Sequence, residues 1–91
     1  MIPMNDIREE IEKLGSIVES ELKKHPGIKC EFWRGYKEGI AFILSISDCA
    51  MEKLAREEIS VYHVEAYKLG WNAVILELQY LYKRHIGRMY L

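Results

Sequence analysis

Two short stretches of this chain are near copies of one another: Gly35-Tyr36-Lys37-Glu38-Gly39 and, thirty-one residues later, Ala66-Tyr67-Lys68-Leu69-Gly70. Each leads into an apolar run that ends in Ile-Leu, at Ile43-Leu44 and at Ile75-Leu76. Small residues four apart lie on one side of a helix and let a second backbone come close. The pattern therefore predicts two long helices that meet at Gly35, Gly39, Ala66 and Gly70. The likeness of the copies also suggests duplication of one helix.

A chain of 91 residues makes one domain, 1–91, and a small one, so its core must be efficient or shared with a partner. The hydrophobic share of 49% and charged share of 30% are those of a globular chain and argue against disorder. Thirteen Lys and Arg stand against fourteen Asp and Glu, which removes the simplest argument for nucleic-acid binding, a strongly basic chain. Charge is nonetheless uneven. Residues 1–24 hold six acids and four bases, whereas residues 61–91 hold two acids, Glu65 and Glu77, and four bases, Lys68, Lys83, Arg84 and Arg88.

Two cysteines, Cys30 and Cys49, are too few for a disulfide framework, and the opening residues lack the basic and apolar regions of a secretory signal. The longest uncharged run, Gly39 to Ser47, is about half the roughly 20 residues that a membrane span requires. The expectation is a soluble, cytoplasmic chain with no membrane contact, residing in the host cytoplasm if it is viral.

Periodicity predicts an all-α fold of three helices, at about 5–24, 31–58 and 61–87. In the first, Ile7, Ile11, Leu14, Val18 and Leu22 form one narrow apolar stripe, which suits a peripheral helix. Asp6 and Glu9 have the spacing of a capping box. His25-Pro26-Gly27 ends this helix, because the residue before proline is pushed out of the α region. The second is apolar over more than half its circumference and must be covered from two directions. Ser47 could cap a separate helix there, but the apolar arc keeps its phase, so one continuous helix is expected, with Cys49 on its buried side.

The third carries a heptad seam through Val64, Tyr67, Trp71, Val74, Leu78, Leu81 and His85. A second apolar face, Leu69, Leu76 and Tyr80 with Ala73 beside them, points nearly opposite. The two long helices are expected to form an antiparallel hairpin. Three helices cannot easily cover both faces of the third, so a homo-oligomer is expected, a dimer in the simplest case.

Sites of chemistry are sparse. The glycine segments could leave a pocket for a small ligand, with Lys37, Lys68 or Arg34 reaching an anion, but no P-loop surrounds them. No histidine pair has i,i+4 spacing and no Cys-x-x-Cys occurs, so no metal and no cofactor are expected. The acids Glu9-Glu10-x-Glu12 and Glu57-Glu58 resemble the acidic helices of all-α nucleotide pyrophosphohydrolases, but the second half of that motif, Glu-x-x-Asp on a following helix, is absent. Arg56 and His63 superficially resemble the Arg-x(4–6)-His motif of HEPN-type helical ribonucleases, in which the two residues act together on the scissile phosphate. No catalytic set is assigned, and an enzyme is not expected. Lys83, Arg84, His85 and Arg88, interleaved with Tyr80, Tyr82 and Tyr90, form the best nucleic-acid candidate, since bases stack on aromatics while cations follow phosphates. A basic helix end also suits the helix dipole with no partner at all.

The run Phe32-Trp33-Arg34-Gly35-Tyr36-Lys37-Glu38-Gly39-Ile40-Ala41-Phe42, together with Ala66-Tyr67-Lys68-Leu69-Gly70-Trp71-Asn72-Ala73, is similar to patterns in small helical proteins of phages and mobile elements. That resemblance implies a compact helical oligomer that acts by binding, for instance by blocking or adapting a host protein. The residue-level expectation agrees: macromolecular binding, with Leu69, Leu76 and Tyr80 as the contact surface and Lys83, Arg84 and Arg88 at its rim. Nucleic-acid binding through the C-terminal end is the alternative, followed by a ligand site or a HEPN-like ribonuclease.

Overall fold

The apolar stripe at the start of the chain folds as α1, Met4–Lys24, in a computed structural model that describes residues 4–24, 28–58 and 65–90, with side chains placed for all but 28, 29 and 88–90. Ile7, Ile11 and Val18 are fully buried, each worth about 1.5–3 kcal/mol of burial. Leu14 and Leu22 pack on the same stripe. The helix begins at Met4, so Asp6 lies inside the first turn, where it complements the dipole and is not the cap.

Three further helices complete the described residues: α2, Ile28–Ser45; α3, Asp48–Arg56; and α4, Ala66–Tyr90. No strand is present among them, and the chain is all-α. His25, Pro26 and Gly27 lie outside the described residues, as do 61–64 of the expected third helix.

The expected continuous helix 31–58 is two helices, and the reason is local and tertiary at once. Ser47 takes an extended conformation (φ −68°, ψ 162°), and its Oγ accepts from the Ala50 amide at 3.1 Å, the geometry of an N-cap. The carbonyls that α2 leaves without helical partners are met by Arg8 of α1. Its guanidinium donates to the carbonyl oxygens of Ile43 (3.4 Å), Leu44 (3.3 Å) and Ile46 (2.9 Å), and to Asp48 Oδ1 at 2.6 Å. The Ser45 hydroxyl donates to the Phe42 carbonyl at 2.7 Å. A helix end needs such donors when it is not left to water.

The break also resets the phase of the apolar arc. Cys49, expected on the buried side of a continuous helix, is exposed, while Met51 and Ala55 are buried in the core.

A second correction concerns direction. A Cβ built at Gly35 meets the Tyr67 carbonyl, and one built at Gly39 meets the Trp71 carbonyl oxygen and Val74. Contact positions thus advance together along α2 and α4, as in helices that run the same way, where an antiparallel hairpin was expected. The extra reversal at residues 46–47 accounts for it. The chain turns at Ser47, α3 runs back along α4 with Glu52 beside Tyr82 and Leu54 beside Gln79, and α4 then starts alongside α2. α1 is antiparallel to α2, with Arg8 at the end of α2 and Glu19 bonded to Lys37 nearer its start.

The core lies where all four helices converge: Ile7, Ile11 and Val18 from α1, Ile40 and Ile43 from α2, Met51 from α3, and Val74, Leu78, Leu81 and Tyr82 from α4.

Candidate interaction surface

The glycine crossing is a contact of backbone on backbone. A Cβ at Gly35 would overlap the Tyr67 carbonyl, with its carbon 2.8 Å away; one at Gly70 would overlap the Phe32 carbonyl (carbon at 2.8 Å) and lie 2.9 Å from the Tyr36 nitrogen. The relation is reciprocal: each glycine points its Cα hydrogen at a carbonyl of the other helix, the arrangement of Cα–H···O contacts. Gly39 is less confined, its nearest neighbours being Val74 Cγ2 at 3.2 Å and the Trp71 carbonyl oxygen at 3.3 Å. Ala66, the fourth small residue of the expected set, is the first residue of α4 and is half-buried. The space freed by missing side chains at Gly35 and Gly70 is filled by the opposite backbone, so it does not form the ligand pocket considered from sequence.

Charged residues beside the crossing have partners. Lys37 pairs with Glu19 at 2.9 Å, Arg34 with Glu31 at 3.4 Å, Lys68 approaches Glu65 at 4.0 Å, and the Tyr67 hydroxyl donates to Glu38. The hydrogen bond and charge of Lys37 hold the Glu19 carboxyl below its ordinary pKa. Burial, with Glu77 adding to it, pushes the Tyr36 phenol up, which keeps this hydroxyl neutral where it stands among Phe32 and Trp33, whose rings lie 6.2 and 5.3 Å away. Two shallow hollows open nearby, one lined by Leu22, Cys30, Arg34 and Lys37 and another by Tyr67, Lys68, Trp71 and Asn72.

Arg56 is committed to the structure. It donates to Tyr82 Oη at 3.0 Å and to Glu52 Oε1 at 2.7 Å, and its guanidinium carbon sits 5.7 Å from the Tyr82 ring centre. The Tyr82 hydrogen bond raises its pKa above the usual arginine value, so it stays charged. His63, the other half of the HEPN-like pair, lies outside the described residues. Gln79, half-buried on α4, donates to the carbonyls of Glu57 (2.6 Å) and Leu54 (3.4 Å) and closes the end of α3. Sequence reasoning missed Arg8 and the role of Gln79. The available signals were faint: a base beside the Met4–Ile7–Ile11 stripe, and a Gln that follows Glu65 and Asn72 at seven-residue spacing.

Among the described residues the far side of α4 is open to another molecule. Leu76 is 42% exposed and Tyr80 is 63% exposed, while Leu69 and Ala73 of the same face are half-buried. Lys83 and Arg84 are exposed one turn further on. The side chain of Arg88 lies outside the described residues. On the opposite side of the same helix Gly70, Val74, Leu78 and Leu81 are buried. A groove lined by Ala55, Glu57, Glu58, Gln79 and Lys83 runs between α3 and α4 and has Leu76 on its wall. Ile17 (53%) and Phe42 (40%) are also exposed, but Phe42 rests its ring on Trp71 at 5.2 Å and Ile17 stands alone on α1.

Among the described residues no group of three or more His, Cys, Asp or Glu side chains could hold a metal ion, and no helix is long and apolar enough to cross a membrane. Comparison with protein-family models, with curated proteins and with solved structures finds no match for this chain.

Proposed function

We propose that this protein works by macromolecular binding, self-association included, as an adaptor or an inhibitor, and that the exposed face of α4 is its contact surface. One observation carries the reading: Leu76 and Tyr80 stand open to solvent one turn apart, on a helix whose opposite face is fully packed. The fold already has its core without them. Large apolar side chains placed together on a surface are the material of interfaces, and tyrosine is enriched among the residues that dominate binding energy. Lys83 and Arg84 at the rim would steer an acidic surface toward this face. Self-association is part of the proposal, as is a cytoplasmic setting, which the two free thiols, Cys30 and Cys49, suit. A phage-type protein that blocks or adapts a host protein is the biological form such a binder would take.

Nucleic acid is the second reading, favoured by Tyr80 exposed beside Lys83 and Arg84. It requires that affinity fall steeply with salt, as counterion release dictates. The test is capture from cells with wild type and with Leu76→Asp, each first shown by circular dichroism to keep its helix content. Loss of the captured macromolecule in the variant supports the α4 face. Capture by both alike places the contact surface elsewhere.

A further inference from the structure

We infer that the occupant of the α4 face is a second copy of this chain, laid antiparallel on the first about a two-fold axis between Ala73 and Leu76; this rests on the reading of that face as the contact surface. At 100° per residue Leu69, Ala73, Leu76, Tyr80 and Lys83 share one side of α4, and Glu65, the residue before the helix, accepts from the Leu69 amide at 3.1 Å at the start of that side. The strip is apolar in its middle and carries one acid at its start and one base at its end. Glu65 and Lys83 are both exposed. Lys83 forms no ion pair among the described residues, and Glu65 has only the loose approach of Lys68 at 4.0 Å.

Such a strip is complementary to itself in one direction only. Laid antiparallel, Leu76 faces the second copy's Ala73, Tyr80 faces its Leu69, and Lys83 faces its Glu65. Large meets small in the middle, opposite charges meet at both ends, and every contact is made twice, as two-fold symmetry requires. Laid parallel, Lys83 would stand beside Lys83 and Glu65 beside Glu65, which costs free energy at both ends. The α3–α4 groove, with Leu76 on its wall, gives the second helix a depression to settle against. From Leu69 to Lys83 the strip is about 21 Å long at 1.5 Å per residue. A single helix pair of that length falls at the small end of stable interfaces, and the expectation is a weak dimer with an affinity of about micromolar order.

Sedimentation equilibrium at low ionic strength tests this on the full chain. Wild type should pass from monomer to dimer between about 1 and 100 µM. Lys83→Glu and Glu65→Lys, each alone, place like charges at both ends and should weaken the dimer by about tenfold or more. An equimolar mixture of the two variants should dimerise as wild type does, because each unlike pair regains two Lys–Glu contacts. That recovery also shows that both variants are folded. A wild type that stays monomeric over the whole range, single variants that dimerise as wild type does, or a mixture no better than its components would each overturn the inference. If wild type is monomeric while Leu76→Asp still abolishes capture of a cellular macromolecule, self-pairing falls and the contact-surface reading stands.

Discussion

Two joints hold the long helices in place, and they work by opposite means. At the α2–α4 crossing nothing is added: Gly35 and Gly70 omit side chains so that backbone meets backbone. At the α2–α3 break everything is added: Arg8 reaches from another helix to three carbonyls and Asp48, and Ser47 caps α3. A joint made by omission tolerates no insertion, because the neighbour is main chain and cannot move alone. A joint made by side chains can lose one donor and keep the rest. The crossing should therefore be the more brittle.

The largest effect belongs to Gly70→Ala. The methyl would overlap the Phe32 carbonyl, so α2 and α4 must separate, and overpacking of this kind costs about 1–3 kcal/mol or more. Alanine's better helix propensity returns only about 1 kcal/mol. Because the overlapped neighbour is main chain, the cost lies at the top of that range or above it, and a net loss of at least about 2 kcal/mol, read from the urea midpoint at unchanged slope, is expected. Gly15 provides the control, since nothing lies within 4 Å of a Cβ there. Gly15→Ala should stabilise by up to about 1 kcal/mol. If both glycine variants shift the midpoint the same way, the crossing is not held by backbone contact.

Arg8→Ala comes next, at about 2 kcal/mol, because it strips donors from the last carbonyls of α2 while water can reach some of them. Its side chain is 21% exposed, and its partner Asp48 is 65% exposed, so the ion pair itself contributes little. Asp48→Asn should accordingly cost much less than Arg8→Ala. Equal losses would mean that the ion pair, and not the carbonyl contacts, fixes the joint.

The same contrast explains what the sequence could say. Small residues four apart are a local signal, and they mark segments that do meet, Gly35 at Tyr67 and Gly70 at Phe32. The apolar stripe of α1 and the seam through Val74, Leu78 and Leu81 are equally local and equally legible. The break at Ser47 is visible as a cap residue, but the continuous phase of the apolar arc outweighs it in sequence. Arg8, whose partners lie thirty-five to forty residues away, is what lets the helix stop there. Without that reversal, a parallel pair reads as an antiparallel one. On α4 the wheel separates Leu76 and Tyr80, which are exposed, from the seam residues Val74, Leu78 and Leu81, which are buried, because a helix with two apolar faces and three neighbours leaves part of one face uncovered. It does not foresee that Leu69 and Ala73 are half-buried.

Ser47→Ala isolates the local half of the break. It removes the acceptor of the Ala50 amide and should cost about 1 kcal/mol, with Ser47→Asp close to wild type. Amide exchange should quicken first at the start of α3, where the freed groups lie. A cost as large as that of Arg8→Ala would put the origin of the break in the cap and not in the tertiary contact.

The smallest effect is the most discriminating for the crossing. Gly39 stands in the same small-residue segment as Gly35, and sequence alone gives the two the same role. The structure does not. A Cβ at Gly39 would press on Val74 Cγ2 at 3.2 Å and on the Trp71 carbonyl oxygen at 3.3 Å, contacts relieved by a few tenths of an ångström. Val74 Cγ2 can turn aside, and the Trp71 carbonyl oxygen and Val74 Cβ, both at 3.3 Å, ask only for a shift of a few tenths of an ångström between the helices, while the gain in helix propensity is about 1 kcal/mol, so the two terms nearly cancel. Gly39→Ala should therefore shift stability by less than about 0.5 kcal/mol, within the range of an ordinary surface change. Gly35→Ala, aimed at the Tyr67 carbonyl, should behave like Gly70→Ala. A large loss at Gly39 would mean that α4 sits closer along its whole length than the two reciprocal carbonyl contacts require, and the joint would then be a continuous seam instead of a two-point crossing.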